Sequence, residues 1–136
     1  RKGKLVRKDV VLTTRGTVGN VVYYDDSVPY PNVRINSGML ILRSGSSGFE
    51  GKYLVEFFLS DIGKTQIKNL LSGSAQPQLP IRVLVDFLIP KPPLLVQEKL
   101  VSNIQKERDL ILANQSLITM YENKIKQVIA RVWESE

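Results

Sequence analysis

Ile104, Ile111, Ile118, Ile125 and Val132 recur at a strict interval of seven toward the C-terminal end of the chain. A column with that period stays on one face only of a helix that supercoils slightly, so it predicts a coiled-coil seam. No Gly or Pro interrupts the run from Leu94 to Trp133. At 1.5 Å per residue, such a helix reaches about 60 Å, more than a small domain can cover, and so calls for a partner along its length. The alternative, that the helix folds back on its own domain, conflicts with how far the apolar pattern extends.

A second seam is less regular. The residues four before the column are Leu100, Glu107, Asn114, Tyr121 and Val128, and those three before it are Val101, Arg108, Gln115, Glu122 and Ile129. Both are apolar at the ends and polar in the middle, where Leu110, Leu112, Leu117 and Met120 widen the stripe instead. This pattern suits contact with more than one neighbouring helix, or with the head of another chain, better than a plain two-stranded zipper.

Charge divides at Pro93. Residues 1–93 hold 13 Lys/Arg and 7 Asp/Glu, a net charge of +6, while residues 94–136 hold 6 of each. A basic head on a neutral stalk is a layout expected of a module that touches nucleic acid with one part and protein with the other, although a solvated basic face accounts for the charge equally well. The chain has no Cys and no His. That removes disulfides, thiolate metal sites, and Ser-His-Asp or Cys-His catalysis. No Gly-rich phosphate or cofactor loop joins a strand to a helix, and Val28-Pro29-Tyr30-Pro31 is not the Asn/Asp-Pro-Pro-Tyr motif of an amino-methyltransferase. The expectation is therefore a non-enzyme without metal or cofactor. No apolar run approaches membrane-spanning length and no signal peptide is legible, so a cytoplasmic location without membrane contact is expected.

Within the head, a basic tract (Arg1, Lys2, Lys4, Arg7, Lys8) precedes the strand-like Asp9 to Thr14. Arg15-Gly16-Thr17 supplies a turn into a second strand, Val18 to Tyr24, in which one of Tyr23 and Tyr24 should face the core. Further strands are predicted over Val33–Ile35 and Gly38–Arg43. Tyr53, Leu54, Phe57, Phe58 and Ile62 then follow a helical period, broken or bent near Ser60–Gly63 and resumed through Gln66, Ile67, Leu70 and Leu71. Gly73, Pro77 and Pro80 make the next stretch a polar loop. Ile81 to Ile89 is apolar again, and Pro90-Lys91-Pro92-Pro93 forms a stiff lead into the long helix, with Pro93 in its first turn. The fold class that follows is α+β: a small β-rich head over residues 1–92 with a packed helix, then one long coiled-coil helix over residues 93–136.

In this order the segments resemble one half of the DNA-specificity subunit of type I restriction-modification systems, a target-recognition domain followed by a spacer helix. The resemblance rests on Asp9-Val10-Val11-Leu12, Thr14-Arg15-Gly16-Thr17-Val18-Gly19, Asn36-Ser37-Gly38, Tyr53-Leu54 and Gly73-Ser74-Ala75-Gln76-Pro77. Its most specific block is Ile89-Pro90-Lys91-Pro92-Pro93-Leu94 with Gln97, Leu100 and Val101 behind it. Lys91 stands where an apolar residue is common, and Val96 lacks the acidic character often found before the Gln. The family's recognition domains usually carry a stretch ahead of the Asp9 strand, so the front of the domain is expected to be missing here. The same domain also occurs fused to a methyltransferase.

The resemblance implies a protein that reads one half of a split double-stranded DNA target and docks methyltransferase subunits and, through them, the restriction subunit. It also implies pairing, with itself or with a second recognition domain, through the column Ile104, Ile111, Ile118, Ile125 and Val132. A DNA reader needs cations at phosphates and amide, hydroxyl or guanidinium groups at base edges. The candidates are Thr14, Arg15 and Thr17 in the Gly-bounded turn, then Arg34 and Asn36, then the loop Ser72, Ser74, Gln76 and Gln78, and finally Lys64 and Lys68, four apart on a helix. For each there is a plainer reading, as a solvated turn, a packing motif or a solvated helix face. The competing function is a structural or adaptor protein with a β-rich head, a coiled coil and no DNA role.

Overall fold

A computed structural model describes residues 3–73 and 76–134. Its centre is the strand β1 (Asp9–Thr13), which pairs antiparallel with β2 (Val21–Tyr24) on one side and β3 (Met39–Leu42) on the other. Val10 sits opposite Tyr23 and Leu42, and Leu12 opposite Val21 and Leu40. The period-two rule sends Val10 and Leu12 inward together, and both are fully buried. Tyr24 is the tyrosine that enters the core, whereas Tyr23 is half-buried, with the Lys52 ammonium 5.6 Å from its ring.

Against the sheet lie two short helices, α1 (Gly51–Leu59) and α2 (Asp61–Leu70). One residue separates them. The Ser60 N–H closes α1 on Glu56 and Phe57, and the Ser60 hydroxyl caps α2 by accepting the Gly63 N–H at 3.2 Å. Of the break or bend predicted near Ser60–Gly63, the structure has the break, into two capped helices. Phe57, Phe58 and Ile67 bring their apolar faces onto Leu12 and Leu79. Phe58 meets the edges of both Phe57 and Phe87, at 5.4 and 5.5 Å between ring centres. Ile62, which the helical period assigned to the apolar face, is exposed.

The stretch Ile81–Asp86 forms 3-10 turns, and the Gln66 side chain holds the chain beyond it. Gln66 accepts the Leu88 N–H at 2.8 Å and donates to the Leu88 carbonyl at 3.0 Å, completing both backbone groups of that residue as a strand neighbour would. The predicted strand over Val33–Ile35 is only a single bridge, Lys4 to Arg34, flanked by hydrogen bonds from Leu5 to Val33 and from Ile35 to Gly3. Residues 3–5 of the basic tract are therefore tied to residues 33–35, with Leu5 buried.

Asp9 anchors that tract. It is 1% exposed, accepts the Val6 N–H at 2.7 Å, and takes the Arg43 guanidinium through both oxygens at 2.7 and 2.6 Å. Burial pushes its carboxyl toward neutrality, but the hydrogen bonds from Arg43 and Val6 and the Arg43 charge outweigh this and hold its pKa below the usual value. A depressed folded pKa stabilises the fold above the unfolded value of about 3.9, and that contribution is lost as pH falls through the folded value. Urea denaturation of the chain between pH 7 and pH 2 is expected to show it. Asp9→Asn should cost about 2 kcal/mol at neutral pH, the worth of hydrogen bonds to a charged group, and should remove this acid-dependent component. An unchanged pH profile in that variant would exclude Asp9 as its source.

The helix α3 runs from Leu94 to Glu134 without a break, 41 residues. The chain divides into two compact units, Arg1–Val101 and Ser102–Glu136, so the first two turns of α3 belong with the head. Along the second unit Ile111, Ile118, Ile125 and Val132 are 57–64% exposed, while Ile104 is half-buried. No helix among the described residues is long and apolar enough to cross a membrane.

Candidate nucleic-acid interface

The alternation that buries Val10 and Leu12 continues one step past β1 and buries Thr14, which is 5% exposed. Thr14 is therefore a junction, with its side chain largely buried. Its N–H donates to the Gly38 carbonyl at 2.8 Å and its carbonyl accepts the Leu79 N–H at 2.9 Å. Three distant segments meet there. The next residue, Arg15, emerges exposed from the junction; its N–H also reaches the Gly38 carbonyl, at 3.3 Å, and it forms a bridge with Gln78.

The turn after Arg15 is tied from within. Thr13 donates its hydroxyl to the Thr17 carbonyl and accepts the Asn20 N–H at 3.0 Å, while the Gly19 N–H returns to the Thr13 carbonyl at 3.0 Å. Gly16 has a φ of 70° and open space around its Cα, so the turn has a bare crest with Arg15 and Thr17 exposed on either side.

Asn36 is exposed, and its Oδ1 accepts the Gly38 N–H at 2.9 Å. That turn uses the acceptor of the amide, and the Nδ2 donors are the part that can address a base edge. On the third segment, Ser72 and Gln78 exchange both backbone hydrogen bonds at 2.9 Å, closing the loop between them. Gln76 lies exposed in this loop, and Ser74 falls outside the described residues. Arg15, Asn36 and Gln78 are thus gathered by the Gly38 backbone and Thr14, with Thr17 and Gln76 on adjoining turns.

The other candidates lie apart from this group. Arg34 is exposed at the bridge with Lys4. Lys64 and Lys68 are exposed on α2, whose Ile67 lies against Gly19, 3.4 Å from where a Cβ on that residue would stand. The helix therefore runs beside the turn, and its lysines can serve backbone phosphates but do not join the Arg15 cluster. Sequence reasoning missed the joining element, the Gly38 carbonyl that takes two N–H groups. The signal available for it was the Asn36-Ser37-Gly38 spacing of an Asx turn.

Among the described residues there is no group of three carboxylates that could hold a metal ion. The cluster offers a guanidinium, amides and hydroxyls, the groups that recognise phosphates and base edges. A family model described as the type I restriction modification DNA specificity domain matches residues 2–128. No curated protein matches the chain.

Proposed function

The chain thus belongs to the type I restriction modification DNA specificity family, and from that membership we propose that its head reads one half of a split duplex target through the Arg15 cluster. The observation that carries this reading is the convergence of Arg15, Asn36 and Gln78. Residues separated by up to 63 positions, with side chains suited to DNA, share one ordered junction, and the head that bears them holds the entire excess of positive charge. Thr14 has a supporting part, holding the turn that presents Arg15 and Thr17. Arg34, Lys64 and Lys68 serve phosphates.

The same reading gives α3 two tasks. Its exposed Ile111, Ile118, Ile125 and Val132, with the half-buried Ile104, pair with a second copy or a second recognition domain and hold two heads at a fixed separation. The assembly docks methyltransferase subunits and, through them, the restriction subunit. This chain supplies recognition, and the chemistry belongs to its partners.

In an assembled complex, Arg15→Ala is expected to weaken specific DNA binding by about 1–3 kcal/mol, the range for one base contact. Titrations at several salt concentrations separate its roles. A loss that is similar on target and non-target duplexes, with a shallower salt slope, makes Arg15 a phosphate contact; a loss confined to the target makes it a base contact. An unchanged affinity and slope removes Arg15 from the interface.

A further inference from the structure

Gln97 is 0% exposed, although it lies in the first turn of a helix whose neighbouring residues face water. All three hydrogen bonds of its side-chain amide go to main chain. Oε1 accepts the Glu50 N–H at 2.9 Å, and Nε2 donates to the carbonyls of Gly48 at 3.0 Å and Pro92 at 2.8 Å. Burying an amide is costly unless it is satisfied, and an apolar side chain would fill the position without that requirement. The two bonds to Glu50 and Gly48 supply what an apolar plug cannot, a fixed rotation and register of the helix start on the Gly48–Glu50 loop, and the third ties the helix to its own Pro92 lead-in.

The surroundings enforce the same geometry. The Tyr53 hydroxyl donates to the Pro90 carbonyl at 3.0 Å, and Phe49 stacks on Tyr53 with ring centres 6.4 Å apart. The Lys91 ammonium lies 5.8 Å from the Phe49 ring centre. Gly48 has a φ of 78°, a left-handed conformation that favours glycine, so the loop that supplies one of the carbonyls depends on that residue. None of these groups belongs to the Arg15 cluster or to the Ile column.

We propose that this clasp is a specificity device, with Gln97 as a positioning residue that makes the spacing between half-sites sharp. The inference rests on the spacer reading of α3 above. Leverage is the physical reason. A freedom of about 10° at the start of a helix of about 60 Å displaces its far end by about 10 Å, roughly three base pairs. A helix of any stiffness measures distance only as well as its first turn is held.

The test uses the assembled restriction-modification complex carrying this chain and duplexes whose half-site separation changes in single base-pair steps. The parent complex is expected to bind roughly a hundredfold more weakly when the spacing is wrong by two base pairs, because the second half-site can no longer be engaged together with the first. Gln97→Met, of similar length but without the amide, should reduce that discrimination to below about tenfold while leaving base preference within each half-site intact. A parent complex indifferent to spacing removes the spacer reading itself. A sharp parent whose sharpness survives in Gln97→Met overturns the clasp, and so does a loss of base preference in step with the loss of spacing preference, which marks general loosening. If Gln97→Met does not fold, Tyr53→Phe decides the matter: it removes one hydrogen bond from the clasp and should broaden the spacing preference about threefold. Unchanged sharpness in the folded Tyr53→Phe complex overturns the proposal.

Discussion

Gly63→Ala is expected to destabilise the head by at least about 3 kcal/mol, at the top of the range for an overpacked core or beyond it. Gly63 is buried in the first turn of α2, close against the C-terminal turn of α1. A methyl group there would press against the Phe57 carbonyl and stand 2.8 Å from the Phe58 Cα. Both obstacles are main chain, so neither can rotate away. The substitution must instead push the helices apart, at the expense of the Ser60 cap and of the seating of Phe57 and Phe58 on Leu12. Against a total stability of about 5–15 kcal/mol for a domain, that is a large fraction. Gly16→Ala provides the contrast. It meets no atom within 4 Å but must hold a φ of 70°, and should cost about 1 kcal/mol. Urea denaturation followed by the near-ultraviolet signal of the head tyrosines measures both; a loss below about 1 kcal/mol for Gly63→Ala would show that α1 and α2 separate easily and defeat the packing account.

What could be seen in advance depended on how local the determining interactions are. The long helix was visible because a seven-residue period is written within a few turns of chain. The first two strands and the break near Ser60 were visible for the same reason, since alternation and capping act over two to four residues. Thr14 was assigned to the DNA-facing set by its place in a turn, yet the parity set by Val10 and Leu12 already pointed it inward. That information was in the sequence and was outweighed by the turn signal. Leu5 and the pairing of residues 3–5 with 33–35 were hidden because Lys and Arg dominate the tract and the contact spans about thirty residues. The burial of Gln97 was hidden for a similar reason: a Gln in a helix reads as surface until the Gly48 loop, 49 residues earlier, is folded over it.

The meeting of Arg15, Asn36 and Gln78 has the same non-local character. Each segment was a candidate by its own chemistry, but nothing in the spacing of the three announces a common junction. They are joined by the backbone of Gly38 and the carbonyl of Thr14, and of these only Gly38 carries a local signature, the Asn36-Ser37-Gly38 turn.

Deleting one heptad, residues 107–113, from each α3 is expected to shift the preferred half-site separation by about 10 Å, roughly three base pairs. The deletion removes Ile111 and leaves Ile104 seven positions ahead of what was Ile118, so the column stays continuous, and it lies well beyond the Gln97 clasp. Rotation limits the outcome. Seven residues turn the helix by only about 20° from whole turns, whereas three base pairs turn the DNA by about 100°, so the heads do not follow the groove. The new optimum should therefore be displaced and also weaker than the parent's. Removing four residues instead breaks the column and should weaken pairing before any spacing can be read. Binding or methylation measured across duplexes of graded separation distinguishes these outcomes. An optimum that stays at the parent spacing after the seven-residue deletion would mean that the separation is set elsewhere, by the partner subunits or by the DNA, and that the exposed column serves only to join two chains.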